Sequence, residues 1–364
     1  MTMDEEHVPD YHWLVPSATY DKVEKWHGAI RANRVHLGKR LRVVLHHVDA
    51  AGLTPEGLIG ALLRTKLPQI FAESSVRGDG SDWTAEELSI LGDISCVVPV
   101  TVYDDGHHTH PEVHDPPFPA HLLFVPGALL RNGFGRTTPD MQEVAPNRRL
   151  DPEAYYRLYE RRLVPVFSEV HRLAGNMGVR AVVTVPGLGC GRFAGPFEGK
   201  LGALFGEVLH RLLVEHAEKW PSIRLVHYDP YREGESRSWR INRNLTYRIR
   251  PLTKRRGLPQ LSRVAAFDEG GDELAGCRLF SLVAWDHVSW PGNDFYSGGR
   301  ATDDGVKAAA TDTLYRMTGV RGRYHPLQHA YLPPEGFSTW RSVVESRGIT
   351  LHTVGNIVVH SVTS

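Results

Sequence analysis

Between positions 285 and 304 the sequence WDHVSWPGNDFYSGGRATDD places Asp286, Asn293, Asp294, Asp303 and Asp304 around Gly292, Gly298 and Gly299. Two carboxylates facing one cavity can orient a hydroxyl, activate water and stabilise a developing positive charge. Asp294 and Asp304 flank the glycine-rich turn and can share such a cavity, which makes them the candidate catalytic acids. Structural duties compete for the same residues. Thr302 suits a helix N-cap with Asp303 and Asp304 in the first turn, and Asp286 suits the cap of a turn. Those duties account for part of the set only. A helix start is expected to keep Asp304 ionised, which fits a base or an electrostatic stabiliser better than an acid.

A second stretch with chemical potential is 187–195, GLGCGRFAG. It follows a short apolar run and precedes a helical pattern, so its N–H groups could cradle a phosphate near a helix start, or it could serve as a plain turn. It lacks GxxxxGK[ST], which disfavours a P-loop NTPase, and it lacks a clean GxGxxG. Cys190 has no base at a motif-defining position nearby and is small enough to be there for fit alone. The run 104–115, DDGHHTHPEVHD, holds four histidines. It has neither the helical frame nor the cysteine partners of strong zinc patterns, so it reads as a solvated loop, and no metal is expected.

These loops need elements to hold them. Residues 279–285 (LFSLVAW) form a nearly continuous apolar run of strand length. Positions 302–318 carry Val306, Ala309, Ala310, Leu314 and Met317 at helical spacing. Residues 180–186 (RAVVTVP) form a second apolar run. Both runs are apolar enough to be covered on two faces, so they are expected as neighbouring central strands whose loops converge at one edge. Upstream, 1–95 reads as a mostly helical N-terminal region. It has a helix over 20–35, another beginning at Thr54, and a third at Thr84 with Glu87 completing a capping box; 41–47 fits a strand or a helix. From 96 onward short apolar runs at 96–103, 121–125 and 223–228 alternate with a long amphipathic helix over 151–175 and another over 200–217. The segment 236–257 sets eight Arg and Lys residues around Trp239 and Tyr247 with no acid. It reads as a solvated insertion or edge hairpin, with a docking surface for an acidic partner or a phosphate-bearing substrate as the alternative. Residues 349–362 suit a closing strand pair. The expected division is 1–95 and 96–364.

Asn293-Asp294, then Gly298-Gly299, then the Asp304-Gly305-Val306 helix start resemble the Asn-containing loop of the macrodomain superfamily. The stretch 183–197, VTVPGLGCGRFAGPF, resembles the second ligand loop of that superfamily. The two come in the reverse of the usual order, so the resemblance implies an α/β, three-layer α/β/α fold on a mixed sheet with a permuted motif order and a helical N-terminal extension. The combination of 285–294 with 302–305 is similar to a bacterial effector branch that removes ADP-ribose from arginine of modified ubiquitin. Carried over, the resemblance makes Asp294 and Asp304 catalytic. It makes Asp286, Asn293, Asp303, Gly305 and Val306 substrate-binding, and wraps Gly187, Gly189, Cys190, Gly191, Arg192 and Phe193 around the pyrophosphate and distal ribose. It implies an ADP-ribosylated protein as partner, with ubiquitin a candidate, ADP-ribose as ligand and product, and no cofactor. A reader that binds ADP-ribose without cleaving it is the rival expectation.

Composition bounds the remainder. The 364 residues hold 42 basic and 42 acidic side chains, which gives no global field to recruit nucleic acid or an anionic membrane. No apolar run approaches the roughly 20 residues of a membrane span. With only three cysteines and an acidic start, the expected setting is reducing, either cytoplasmic or a host cytosol into which the protein is delivered.

Overall fold

A computed structural model describes residues 10–46, 48 and 52–360. Eleven strands are, in chain order, β1 (His12–Pro16), β2 (Ser95–Asp104), β3 (Val113–Pro126), β4 (Ala181–Pro186), β5 (Ile223–Asp229), β6 (Arg237–Arg240), β7 (Thr246–Ile249), β8 (Arg278–Trp285), β9 (Arg323–His325), β10 (Ala330–Leu332) and β11 (Ile357–His360). Nine of them form one mixed sheet in the order β11-β1-β2-β3-β8-β4-β5-β7-β6, and β9 and β10 form a separate hairpin. Strands β3, β8, β4, β5 and β7 run parallel. Every residue of β4 and β5 is buried, as a parallel strand covered on both faces must be.

Alternation along the strands feeds two cores. One face presents Trp13, Val98, Phe124, Val182 and Val283, the other Leu14, Val97, Leu123, Val183 and Leu282. Helices α1 (Ser17–Arg31), α2 (Lys39–Leu45), α3 (Pro55–Arg64), α4 (Ala72–Ser75) and α5 (Ala85–Leu91) precede β2. Helices α6 (Pro139–Val144), α7 (Pro152–Asn176) and α8 (Leu201–His216) follow β3, and α9 (Asp303–Ala310), α10 (Thr313–Thr318) and α11 (Trp340–Arg347) follow β8. Side chains of α7 and α8 build the second core, whereas α1, α3, α5, α9, α10 and α11 build the first. The result is the expected three-layer α/β/α arrangement.

Local expectations resolve as follows. The Thr84 hydroxyl accepts from the Glu87 N–H and the Glu87 carboxylate accepts from the Thr84 N–H, the expected capping box. The ambiguous run 41–47 is helical through Leu45, with His47 outside the described residues. Residues 10–95 are not purely helical: β1 pairs antiparallel with β2 and parallel with β11, and the helices pack into the same core as β8. The single helix expected over 302–318 is two, because Thr311 is extended and bridges Val102, while the Asp312 carboxylate accepts from the Thr101 N–H. Instead of a closing pair, 349–360 supplies β11 alone, and 361–362 lie outside the described residues.

The basic segment is an edge hairpin of β6 and β7, and two of its arginines are not solvated. Arg248 and Arg250 are buried and pair with Asp272 and Glu269 at 2.5 and 2.6 Å. Among the described residues no helix is long and apolar enough to cross a membrane.

Candidate functional site

Strands β4 and β8 lie side by side, Ala181 to Thr184 against Arg278 to Ser281. Their two loops therefore emerge at the same edge, where open α/β sheets bind ligands. Each loop is shaped by contacts that its glycines make possible. Gly189 has φ 69°, and a Cβ there would press on the Ala128 backbone and the Tyr159 hydroxyl. That hydroxyl donates to the Leu188 carbonyl at 2.6 Å and accepts from the Ala128 N–H at 3.0 Å, and the Leu130 N–H donates to the Phe193 carbonyl at 2.8 Å. The glycine loop is thus stapled to the turn after β3. Gly191 faces open space.

In the acidic loop Asp294 is an organiser. Its Oδ1 accepts from the Thr302 hydroxyl at 2.5 Å, and its Oδ2 accepts from the Ala301 and Thr302 N–H groups at 2.8 and 3.2 Å. Thr302 in turn accepts from the Gly305 N–H at 3.0 Å, the expected N-cap of α9. Asp286 is also saturated: it accepts from the Val288 and Ser289 N–H groups, the Ser289 hydroxyl and the Asn293 amide at 2.6 to 3.1 Å. Asn293 Oδ1 accepts from the Ile70 N–H at 3.0 Å, tying the acidic loop to the segment before α4.

Two adjoining cavities open over these loops and share Gly187, Gly191, Ala284, Ala301 and Asp303. The smaller, about 330 Å³, is walled by Asp286, Asn293, Asp304 and Phe193 together with Phe71 and Glu73. Arg192 and Gly189 complete the expected residues on its wall. The larger, about 590 Å³, reaches past Cys190 to Asp229 at the end of β5, Lys307, Gln260 and His108. Asp303 stands at the junction, its Oδ2 accepting from the Ala284 N–H at 2.8 Å and the Lys307 ammonium at 3.0 Å. Three expected site residues line neither cavity. Asp294 sits one layer behind Thr302, Gly305 packs against the Asp294 carboxylate, and Val306 is buried.

Asp304 differs from its neighbours. Oδ1 accepts from the Gly292 N–H at 2.7 Å, while Oδ2 is buried with no hydrogen-bond partner. Burial first, then the charge of Asp294, hold this carboxyl well above the ordinary carboxylate range. The expectation that a helix start keeps Asp304 ionised is therefore corrected: desolvation among like charges outweighs the favourable dipole. A carboxyl shifted in this direction holds its proton more tightly than an ordinary carboxylate, as a proton donor must.

Burial raises the Cys190 thiol well above its ordinary value, which works against thiolate formation. The histidines of 104–115 have separate tasks. His107 accepts from the Thr109 and His110 N–H groups, His108 lines the larger cavity, and His114 bonds the Leu261 carbonyl.

Several contributors were not legible as site residues. Phe71 and Glu73 come from a four-residue helix without periodicity. Lys66 is buried beneath the loop, donates to the His287 carbonyl at 2.6 Å and lies 4.0 Å from the Trp285 ring centroid. Burial pulls its ammonium down to about 7, with Asp286 opposing. Asp229 ends an apolar strand at an Asp-Pro step, a position that could have flagged it. Behind the site, the His287 ring and the Arg162 guanidinium share Asp140 at 3.1 and 2.7 Å, and Arg162 also meets Asp93 at 3.1 Å. This buried network fixes the turn that follows β8 against α7.

A three-layer fold whose adjacent parallel strands deliver a glycine loop and an Asn-Asp loop to one divided cavity has the build of a macrodomain, and an ADP-ribose-related function comes with that class. The family described as Macrodomain effector MavL matches residues 11–337, and the chain belongs to it. A comparison with curated proteins finds no match.

Proposed function

We propose that the protein is a hydrolase that removes ADP-ribose from arginine side chains of modified proteins by cleaving the bond between the ribose anomeric carbon and a guanidinium nitrogen. The carrying observation is Asp304, with its one free oxygen in a buried, acid-lined cavity beside the glycine loop. Gly191 faces open space where the two compartments meet, and no other described residue hydrogen-bonds its N–H, so this group is offered to a diphosphate there. The larger cavity then takes the adenosine end and the smaller one the distal ribose, with Phe193 packed on the sugar. Ubiquitin is a candidate acceptor, and a host or bacterial cytosol is the setting this reading suits.

As the carbon–nitrogen bond breaks, its electron pair stays on the guanidine nitrogen and the ribose becomes oxocarbenium-like. Neutral Asp304 gives its proton to the departing guanidine. The resulting carboxylate stabilises the positive sugar and takes a proton from the water that adds to the anomeric carbon. The products are ADP-ribose and a restored arginine guanidinium. Asp294 acts through Asp304 as a positioning residue: its charge raises the Asp304 carboxyl, and its hydrogen bonds hold the start of α9.

A second reading, an ADP-ribose reader, is favoured by the saturation of Asp286 and Asp294 with donors from their own loop. Parallel incubation with arginine-, serine- and glutamate-linked ADP-ribosylated proteins separates the two. Release from the arginine-linked substrate is expected, and release from none would put the reader first.

A further inference from the structure

Helix α4 supplies two residues to the smaller cavity that lie outside both ligand loops. Phe71, at its N-cap, is more than one-third exposed, a large apolar ring left facing a cavity rather than the core. Glu73 is partly buried, and no side chain or N–H of another described residue hydrogen-bonds its carboxylate. Arg131 and Arg192 act on it through their charge, yet neither forms an ion pair with it. Burial, together with nearby Asp286, raises the Glu73 carboxyl above its ordinary value. The charges of Arg131 and Arg192 offset only part of that rise, so an arriving cation that pairs directly with Glu73 would relieve the remaining cost of burying it beside Asp286.

The position of α4 is fixed against the reacting centre. The Gly133 N–H donates to the Glu73 carbonyl at 2.9 Å. The Ile70 N–H donates to Asn293, which donates to Asp286. Glu73 is therefore held on the same wall as the acidic loop by hydrogen bonds rather than by a flexible strap.

We propose that Glu73 and Phe71 form the seat for the acceptor side chain and make the site select a cationic guanidinium over an uncharged acceptor; this rests on the ADP-ribose reading above. A planar guanidinium stacks on an aromatic face and pairs with a carboxylate through its fork of N–H groups. An arginine already linked to ribose through one nitrogen keeps another terminal nitrogen for that pairing. A serine-linked substrate brings no cation of its own to pair with Glu73.

The test uses two peptides of one sequence, ADP-ribosylated through arginine or through serine, with the wild-type protein, Glu73→Gln and Glu73→Asp, each checked for folding by thermal melting. Glu73→Gln is expected to lower kcat/KM on the arginine-linked peptide at least tenfold. Free ADP-ribose affinity should stay within twofold and serine-linked turnover should not fall. Glu73→Asp should recover part of the loss. An equal loss on both peptides, a matching loss in ADP-ribose affinity, or no loss at all would overturn the assignment and leave the hydrolase reading intact. Wild-type release from neither peptide would instead overturn the hydrolase reading. Calorimetric affinities for the two peptides would then test Glu73 on their own, with the arginine preference expected to vanish in Glu73→Gln and its persistence overturning the seat.

Discussion

Asp304→Asn separates catalysis from stability in one substitution. The asparagine keeps an acceptor for the Gly292 N–H and puts a neutral donor where Asp304 carries its proton. Burial and the Asp294 charge raise the folded-state value of this carboxyl. Below about pH 4 the carboxyl is protonated in both folded and unfolded chains, and the two proteins should be equally stable. As pH rises the unfolded chain ionises first and the folded chain cannot follow. The wild type then loses about 1.4 kcal/mol for each pH unit between the unfolded and folded values. Asparagine has nothing to lose. With about 2.1 cal/mol/K of unfolding entropy per residue over 364 residues, that slope corresponds to a Tm advantage for the variant of about 2 °C per pH unit. Turnover on arginine-linked ADP-ribose should fall at least about a hundredfold, the scale of a positioned acid–base group, while ADP-ribose affinity changes only several-fold. Differential scanning fluorimetry from pH 4 to 8, together with release assays and calorimetry, reads all three. A variant less stable than wild type across the whole range, or one that turns over normally, would refute the placement of a neutral acid at this position.

Gly191→Glu projects into open space and should leave the melting temperature unchanged while weakening ADP-ribose binding more than tenfold, over about 1.4 kcal/mol; unchanged calorimetric affinity would remove the glycine loop from the site. Gly305→Ala would drive a methyl group into the Asp294 carboxylate, so an overpacking cost of about 1–3 kcal/mol should show as a lower denaturation midpoint. Asn293→Ala leaves the Ile70 N–H without its acceptor and Asp286 without one donor, at a cost of about 1–3 kcal/mol. Limited proteolysis should then cut first near residues 67–75, and an unaltered cleavage pattern would show that the tie is dispensable.

What could be read from the amino-acid order was whatever depends on neighbours in the chain. The β4 and β8 runs are nearly continuously apolar because both faces are covered, and Thr84, Thr302 and Gly189 shape their own turns, so these elements and the meeting of the two loops were legible. Features set by distant partners were not. The strand β1 is a five-residue run whose partners are Ser95–Val97 and Ile357–His360. The apparently solvated Arg248 and Arg250 find their acids about twenty residues on, in a loop that carries no pattern. The break at Thr311 exists because β2 claims that residue. The upward shift of Asp304 belongs with these: the helix start is local, whereas the burial and the Asp294 carboxylate that oppose it come with the folded loop.

The strand order carries a consequence for how the chain is made. β8 lies between β3 and β4, yet it leaves the ribosome about a hundred residues after β4. Until it arrives, β3 and β4 have open edges on the sides that will later be central, and such edges are templates for pairing with other chains. A nascent chain that ends before Arg278 has the glycine loop but neither the acidic loop nor the strand that brings both loops together. Vectorial synthesis therefore keeps the candidate cleft unassembled until the residues from 278 onward are available, and non-local pairing of this kind slows folding. A chain stalled or truncated before that point should be inert toward ADP-ribose and prone to self-association.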